Sequence, residues 1–234
     1  MNEYRKKVSE KLYSKNLGNM HSTESKNITA TKLLNNEVLE KFRGYNCKTV
    51  LDAGCGEGRF LEMADSRGFK VKGFDKNSDL VKLCRSKKLD VSKGDMEQKL
   101  PYEDGSFDGI YCTNVLEHTT DPAFSLYEFR RILKPGGLLI LAVPEFSKSF
   151  YDDWTHMRPF TKVTLERLAK SVGFRKFSVK RRHFPFLTDY WKNPFVRLLN
   201  TLGSKGISGQ IFTKLIELSF KVHRHDLVLE AVKQ

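Results

Sequence analysis

Three glycines spaced two residues apart follow a stretch typical of a buried strand in this chain of 234 residues. Gly54, Gly56 and Gly58 come after residues 50–53, and a helical pattern begins near Phe60. Glycine lets a backbone turn sharply and approach a ligand, and the start of a helix offers free N–H groups. Because Gly58 comes one residue early for the dinucleotide pattern G-x-G-x-x-G, another nucleotide-type cofactor is indicated. The alternative is a tight strand-to-helix turn without a ligand.

Strand and helix patterns alternate along most of the chain, which predicts an α/β fold with a doubly wound parallel sheet. Polar residues stand where three further strands end: Asp75, Asp95 and Asn114. Asp75 lies 17 residues after Gly58, a position at which a carboxylate can accept hydrogen bonds from both hydroxyls of a ribose. Beyond the first strand, strands are predicted at 70–74, 89–91, 107–112, 138–143, 177–180 and 226–232, and helices at 29–43 and 123–133.

The ordered motifs make the chain resemble the class I S-adenosylmethionine-dependent methyltransferases, in particular the small-molecule (methyltransferase type 11-like) branch. The matching pieces are residues 51–58, 74–75, 94–95, 100–101 with 106–108, 115–118 and 133–137, followed by 155–161. The resemblance implies a Rossmann-like sheet of seven strands with the last strand antiparallel. It also implies S-adenosylmethionine as the cofactor.

The resemblance assigns cofactor roles residue by residue. Gly54, Gly56 and Gly58 would pass beneath the methionine part, with Asp52 ordering the turn. Asp75 would hold the ribose, and Asp95, with the backbone of Met96, would meet the adenine. Asn114 would lie near the amino group and the sulfonium methyl. Asp52 as a cap and Asp95 as a turn residue are the structural alternatives.

Methyl transfer from a sulfonium needs mainly alignment of the reacting atoms and exclusion of water. A general base is required only if the acceptor keeps its proton until attack. His118 and His156 are the candidate bases, although His118 could instead cap the helix that begins near Asp121. Arg158 could hold an acidic group of the substrate, or pair with Asp152 or Asp153 on the surface.

The run from Asn114 to His118 argues against two other chemistries. Quinone-type O-methyltransferases of this branch carry a glutamate that helps to bind a divalent metal at the position of Asn114, and an amide is a weaker ligand for a hard cation. No metal is therefore predicted. Nucleic acid is a less favoured substrate, because the chain has no Pro-Cys dipeptide and no Asn-Pro-Pro-Tyr motif.

Charge and cysteine content bear on partners and compartment. The formal net charge is +13, and residues 151–234 carry 16 basic against 7 acidic side chains. This bias favours an anionic membrane surface, RNA or an acidic substrate, or it is simply a solvated surface. Four cysteines without paired spacing indicate reduced thiols and a cytoplasmic protein. No transmembrane segment is predicted, since no window of 18 apolar residues exists.

Two regions lie outside the predicted core. One precedes it, and the other interrupts it. We predict a helical leader over residues 1–44, a core over 45–182 and 226–234, and a helical lid over 183–225 between strands six and seven. Tyr13 and His21 in the leader, and Tyr190 and Trp191 in the insertion, are candidate substrate contacts. Apolar stripes in the insertion either cover the core or form a pocket for a lipid- or quinone-like acceptor.

The sequence thus predicts an S-adenosylmethionine-dependent methyltransferase that acts on a small molecule. Two alternatives stay open. One is an RNA-directed methyltransferase that uses the basic carboxyl-terminal part. The other is a subunit that binds S-adenosylmethionine without turnover and activates a partner.

Overall fold

The structure is a computed structural model that describes residues 28–148, 150–183 and 225–234. It contains helices α1 to α5 and strands β1 to β7. In chain order they are α1 (Ile28–Gly44), β1 (Thr49–Ala53), α2 (Arg59–Asp65), β2 (Lys70–Asp75), α3 (Ser78–Ser86), β3 (Val91–Lys93), β4 (Phe107–Thr113), α4 (Pro122–Ile132), β5 (Leu133–Pro144), α5 (Lys162–Ser171), β6 (Lys176–His183) and β7 (His225–Val232). Short 3₁₀ helices cover Leu116–His118 and Phe150–Asp152.

The seven strands form one sheet in the order β3-β2-β1-β4-β5-β7-β6. Strands β1 to β5 pair in parallel, and β7 runs antiparallel between β5 and β6. The predicted doubly wound, Rossmann-like sheet with an antiparallel last strand is therefore confirmed. The chain moves outward from β1 to β3 and then crosses back to β4. The carboxyl ends of β1 and β4 thus form the switch point at which such sheets bind ligands.

Two apolar layers enclose the central strands. Alternate residues along β4 enter different clusters: Ile110 and Cys112 pack on one side, and Tyr111 packs on the other with Phe42 and Phe60. This alternation follows from the two-residue period of a strand. Both faces of the central strands are consequently buried, as expected for a parallel sheet covered by helices.

Asp108 joins the amino ends of β1 and β4. Its Oδ2 accepts hydrogen bonds from the backbone N–H of Lys48 (3.0 Å) and of Thr49 (2.8 Å), and its Oδ1 lies 2.7 Å from Lys134 Nζ. Burial alone would raise the pKa of this carboxyl, but these hydrogen bonds outweigh it and hold the pKa well below its usual value. The edge of the sheet opposite the predicted site is thus fixed by a charged side chain.

The sequence placed most elements within a few residues, and the third strand shows where it failed. The predicted strand at 89–91 instead covers Val91–Lys93. Lys88 adopts a positive φ of 64° as α3 ends, and Leu89 N–H still donates to Cys84 O in the helix-terminating turn. The strand therefore starts only after that turn is complete.

Several predictions fall on residues that lie outside the described part of the chain. Tyr13, His21, Tyr190 and Trp191 are among them, so their predicted contacts with substrate stay predictions. The same holds for the domain division into 1–44, 45–182 with 226–234, and 183–225. Within the described residues, no helix is long and apolar enough to cross a membrane.

Candidate functional site

The glycine loop connects β1 to α2 at the carboxyl edge of the sheet. Gly54, Gly56 and Gly58 all have positive φ angles, of 77°, 54° and 82°. A Cβ on Gly54 would lie 2.4 Å from Val115 Cγ2, and one on Gly58 would lie 2.5 Å from Leu89 Cδ1. Because a Cβ on Gly56 would meet nothing within 4 Å, only this middle glycine borders open space.

Asp75 holds the glycine loop from the end of β2. Its Oδ2 accepts a hydrogen bond from Gly56 N–H (2.9 Å), and its Oδ1 accepts one from Asn77 N–H (2.8 Å). The Phe74 carbonyl adds two more bonds, from Gly54 N–H and Cys55 N–H, at 2.9 and 3.0 Å. The loop conformation therefore depends on the second strand as well as on its own glycines.

Asp52 lies beneath the loop with 3% of its surface exposed. Burial, followed by the negative charge of Asp75, raises the pKa of the Asp52 carboxyl to about 8. The group is thus mainly protonated at neutral pH and can donate a hydrogen bond. Neither burial nor pKa could be inferred from the sequence, which indicated only an acidic residue at a turn.

Asp95 and Met96 follow β3 on the same edge. Asp95 Oδ1 accepts a hydrogen bond from Glu97 N–H (3.1 Å), and Oδ2 lies 2.9 Å from Lys76 Nζ. Met96 is buried, and its carbonyl accepts a hydrogen bond from Ser125 Oγ (3.1 Å). Asp95 therefore is a turn residue, as the structural alternative held, and it also lies at the edge where a ligand would bind.

Asn114 ends β4 in a left-handed conformation, with a φ of 52°. Its N–H donates to Ala142 O (2.9 Å). Its side-chain Oδ1 is buried and has no hydrogen-bond partner within the described residues. An orphaned buried acceptor costs about 1–3 kcal/mol, so a donor from a bound ligand would remove a penalty that the protein otherwise carries.

His118 is anchored to the loop that follows β5. Its Nδ1 lies 3.1 Å from Thr155 O and 3.0 Å from Thr155 Oγ1. The alternative in which His118 caps the next helix is wrong, because Asp121 caps α4 itself by accepting from Phe124 N–H (3.0 Å). The described hydrogen bonds of the His118 ring thus run to Thr155, in the loop after β5, rather than to a helix end.

His156 is brought against His118 by the same loop, with ring centroids 4.9 Å apart. His156 Nδ1 lies 2.7 Å from Phe150 O. The loop itself is pinned by Met157 N–H and Arg158 N–H, which both donate to Glu117 O (2.8 and 3.1 Å). Residues almost forty positions apart in the sequence therefore share one small volume.

Arg158 donates to Thr120 O through Nε (3.2 Å) and Nη2 (2.9 Å). It makes no ion pair with Asp152 or Asp153 within the described part of the chain, so that surface-pairing alternative is wrong. Asp153 instead accepts from Thr155 Oγ1 (2.6 Å) and Thr155 N–H (2.9 Å). These bonds lower the pKa of Asp153 although its burial opposes the shift.

Four large apolar side chains on the loop after β5 are half exposed or more, and the sequence did not single them out. Phe146, Tyr151, Trp154 and Met157 expose 50%, 57%, 62% and 52% of their surface. Their concentration in twelve residues contrasts with single exposed apolar residues elsewhere, which are ordinary. The only sequence signal was the density of aromatic residues between 146 and 160.

Sheet order, glycine loop and acidic strand ends together define the fold of the class I S-adenosylmethionine-dependent methyltransferases. Residues 51–141 match the family model described as a methyltransferase domain, of type 11. Residues 51–141 thus form a methyltransferase domain of this type, whose cofactor is S-adenosylmethionine. The expected resemblance and cofactor are confirmed at the level of this domain.

Relatives agree at the level of the domain. The chain is 36% identical over 99 residues to a ubiquinone biosynthesis O-methyltransferase from Xanthomonas oryzae. The aligned region covers 40% of this chain and 41% of that protein. It thus spans about two fifths of the length of that curated relative. A crystal structure of a SAM-dependent methyltransferase from Archaeoglobus fulgidus superposes with a TM-score of 0.59 at 26% identity, over 85% of this chain and 94% of that one.

Proposed function

We propose that the protein transfers the methyl group of S-adenosylmethionine to a small-molecule acceptor at the carboxyl edge of β1, β2 and β4. The observation that carries the proposal is the space above Gly56, bordered by a loop that Asp75 holds in place. Asn114 adds a buried oxygen that lacks a donor within the described residues. A bound cofactor would occupy the open space at Gly56 and donate a hydrogen bond to Asn114 Oδ1.

The residues around this space would each contact a different part of the proposed cofactor. Gly54, Gly56 and Gly58 would pass beneath the methionine part, and Asn114 Oδ1 would accept a hydrogen bond from its amino group. Asp75 lies at the end of β2 and accepts hydrogen bonds from Gly56 N–H and Asn77 N–H. From that position its carboxylate would also accept hydrogen bonds from the ribose hydroxyls. Asp95 and Met96 would flank the adenine.

When bound, S-adenosylmethionine supplies an electrophilic methyl group on a sulfonium sulfur. The protein then has to align the acceptor and exclude water. His118 and His156 lie on the acceptor side, and either could take a proton that the acceptor still carries. Arg158, held at its Nε and Nη2 by Thr120 O, would orient an acidic group of the acceptor.

The acceptor class is proposed from the loop after β5. Its exposed side chains Phe146, Tyr151, Trp154 and Met157 suit an apolar molecule, since exposed apolar patches commonly mark binding surfaces. Relatives named for ubiquinone biosynthesis are consistent with an acceptor of lipid or quinone type. Contact with an anionic membrane and a cytoplasmic location stay predictions.

Two measurements test the proposal. Titration calorimetry with S-adenosylhomocysteine should give one site per chain, and formation of S-adenosylhomocysteine should rise on addition of a hydroxylated quinone or phenol. Tight binding with no turnover on any small acceptor would instead support the non-catalytic alternative. Turnover on RNA alone, with a steep dependence of binding on salt, would support the RNA-directed one. Failure to bind the cofactor would overturn the proposal.

A further inference from the structure

Two histidines and a glutamate from separate parts of the chain converge beside the end of β4. One ligand atom from each of Glu117, His118 and His156 lies within 4.8 Å of the others. His118 Nε2 is 4.0 Å from Glu117 Oε1. Glu117 is fully buried and His156 is 9% exposed. The cluster therefore combines two imidazole nitrogens and one carboxylate in a setting with little access to water.

The hydrogen bonds of both imidazoles fix which nitrogen carries the proton. His156 Nδ1 lies 2.7 Å from Phe150 O, and His118 Nδ1 lies 3.1 Å from Thr155 O. A carbonyl oxygen can only accept, so each Nδ1 is the donor, and in a neutral ring Nε2 then keeps its lone pair. Histidines that bind metals are held in this way, with the other ring N–H on a carbonyl or carboxylate.

A second layer of side chains supports the first. Thr155 Oγ1 donates to Asp153 Oδ1 (2.6 Å), so toward His118 Nδ1 (3.0 Å) it can act only as an acceptor. Asp153 Oδ2 lies 3.7 Å from His156 Nε2 and adds negative charge to the cluster. Both rings are therefore oriented, and the two carboxylates of Glu117 and Asp153 are the charges that would attract a cation.

We propose that Glu117, His118 and His156 form a binding site for a first-row divalent cation, of which Zn²⁺ is the natural probe. Two histidines and one carboxylate are a common donor set for Zn²⁺ and for related metals, and they leave positions open for a further ligand. Ligand atoms in a tetrahedral Zn²⁺ site lie roughly 3.4 Å apart. The distances between the ligand atoms would have to shorten by up to about 1.4 Å, which rotation of the side chains would supply.

This inference differs from the sequence-based expectation of no metal. That expectation considered only the run 114–118, in which Asn114 replaces a carboxylate. The third donor proposed here, His156, comes from the loop after β5 and takes no part in that run. The inference does not depend on methyl transfer, since cation binding can be measured without cofactor or acceptor.

The test is calorimetric titration of the full chain, after treatment with a chelator, with Zn²⁺ and in parallel with Co²⁺. One cation per chain is expected, with Co²⁺ absorption bands typical of nitrogen and oxygen ligands and none from thiolates. His156→Ala and Glu117→Gln should weaken binding by more than about 100-fold. Thr155→Val keeps the backbone acceptor for His118 Nδ1 but removes the hydroxyl that joins His118 to Asp153, and it should weaken binding by about 10-fold.

The double variant His223→Ala, His225→Ala is the control, since it also removes histidines, two that are close together in the sequence and are not among the proposed ligands. It should bind Zn²⁺ as the parent does. Thermal unfolding of the metal-free variants shows whether each is folded. If Glu117→Gln does not fold, Thr155→Val and His156→Ala still test the proposal. Absence of binding by the parent chain overturns the proposal, as does full binding by His156→Ala or loss confined to the control.

Discussion

The donor and acceptor sides of the candidate site are assembled in different ways. On the donor side, Asp75 reaches Gly56 across 19 residues, and both lie at the ends of neighbouring parallel strands. On the acceptor side, His118 bonds to Thr155 across 37 residues, and Thr155 lies in a loop whose described regular structure is a short 3₁₀ helix and an isolated bridge between Glu145 and Phe160. A cofactor site can therefore be encoded in short ordered motifs, while an acceptor site depends on how a long loop folds back.

Two alanine substitutions in the glycine loop would separate packing from ligand space on the donor side. Gly54→Ala combines a left-handed backbone with a 2.4 Å contact to Val115 Cγ2, so we expect a loss of about 3 kcal/mol or more in unfolding free energy. Gly56→Ala has only the backbone cost, about 1–2 kcal/mol, yet should weaken S-adenosylhomocysteine binding strongly. Urea unfolding and calorimetry measure the two effects. Equal destabilisation by both variants would contradict the distinction.

Removing the carboxylate of Asp75 should have the next largest effect. Asp75→Ala deletes acceptors for Gly56 N–H and Asn77 N–H as well as the proposed ribose contact. We expect about a 100-fold loss of S-adenosylhomocysteine affinity, or ~3 kcal/mol. Asp79→Ala is the control, since the side chain of Asp79 is 77% exposed at the start of α3, the helix that follows β2. A loss below about threefold would show that the second strand does not hold the donor side.

Asp52 predicts a pH dependence that belongs to the donor side. Its folded-state pKa, about 8, lies above the ordinary value of 3.8, so the folded chain binds more protons between these values. The neutral carboxyl of Asp52 makes its full contribution to the free energy of unfolding below pH ~4, and this contribution falls as the pH rises toward 8. The Asp52→Asn side chain cannot ionise. Without cofactor, the free energy of unfolding of this variant should exceed that of the parent by on the order of 1–3 kcal/mol at pH 9 and match it near pH 4. Parallel stability curves would refute this.

The smallest expected effect tests whether the two sides are energetically separate. Thr155→Val breaks the link between Asp153 and His118 on the acceptor side, and should cost about 1 kcal/mol of stability. S-adenosylhomocysteine affinity should change by less than about twofold, because no donor-side residue is bonded to Thr155 among the described contacts. A larger change in affinity would mean that the acceptor loop also supports the cofactor site.

The sequence predicted the glycine loop and the strand ends at one edge of the sheet, because their signals are local, and the ligand contacts of these residues stay predictions. Alternating strands, three spaced glycines and an acidic residue after β2 each reflect the backbone within a few residues. The sequence did not predict that Asp52 is protonated, or that His156 lies against His118, since both result from tertiary packing. The start of β3 was misplaced for a local reason, because a helix-terminating turn at Lys88 and Leu89 outweighed strand propensity.

The last two strands carry a consequence for how this chain can change. His183 and His225 are paired across β6 and β7, so the 41 residues between them leave and rejoin the sheet at adjacent positions. The entropy of closing such a connection grows only slowly with its length. The segment is therefore a replaceable module: a two-residue hairpin or a longer substitute could be spliced in without shifting the register of the sheet. The strand ends that carry Asp75 and Asn114 would keep their places in the sheet.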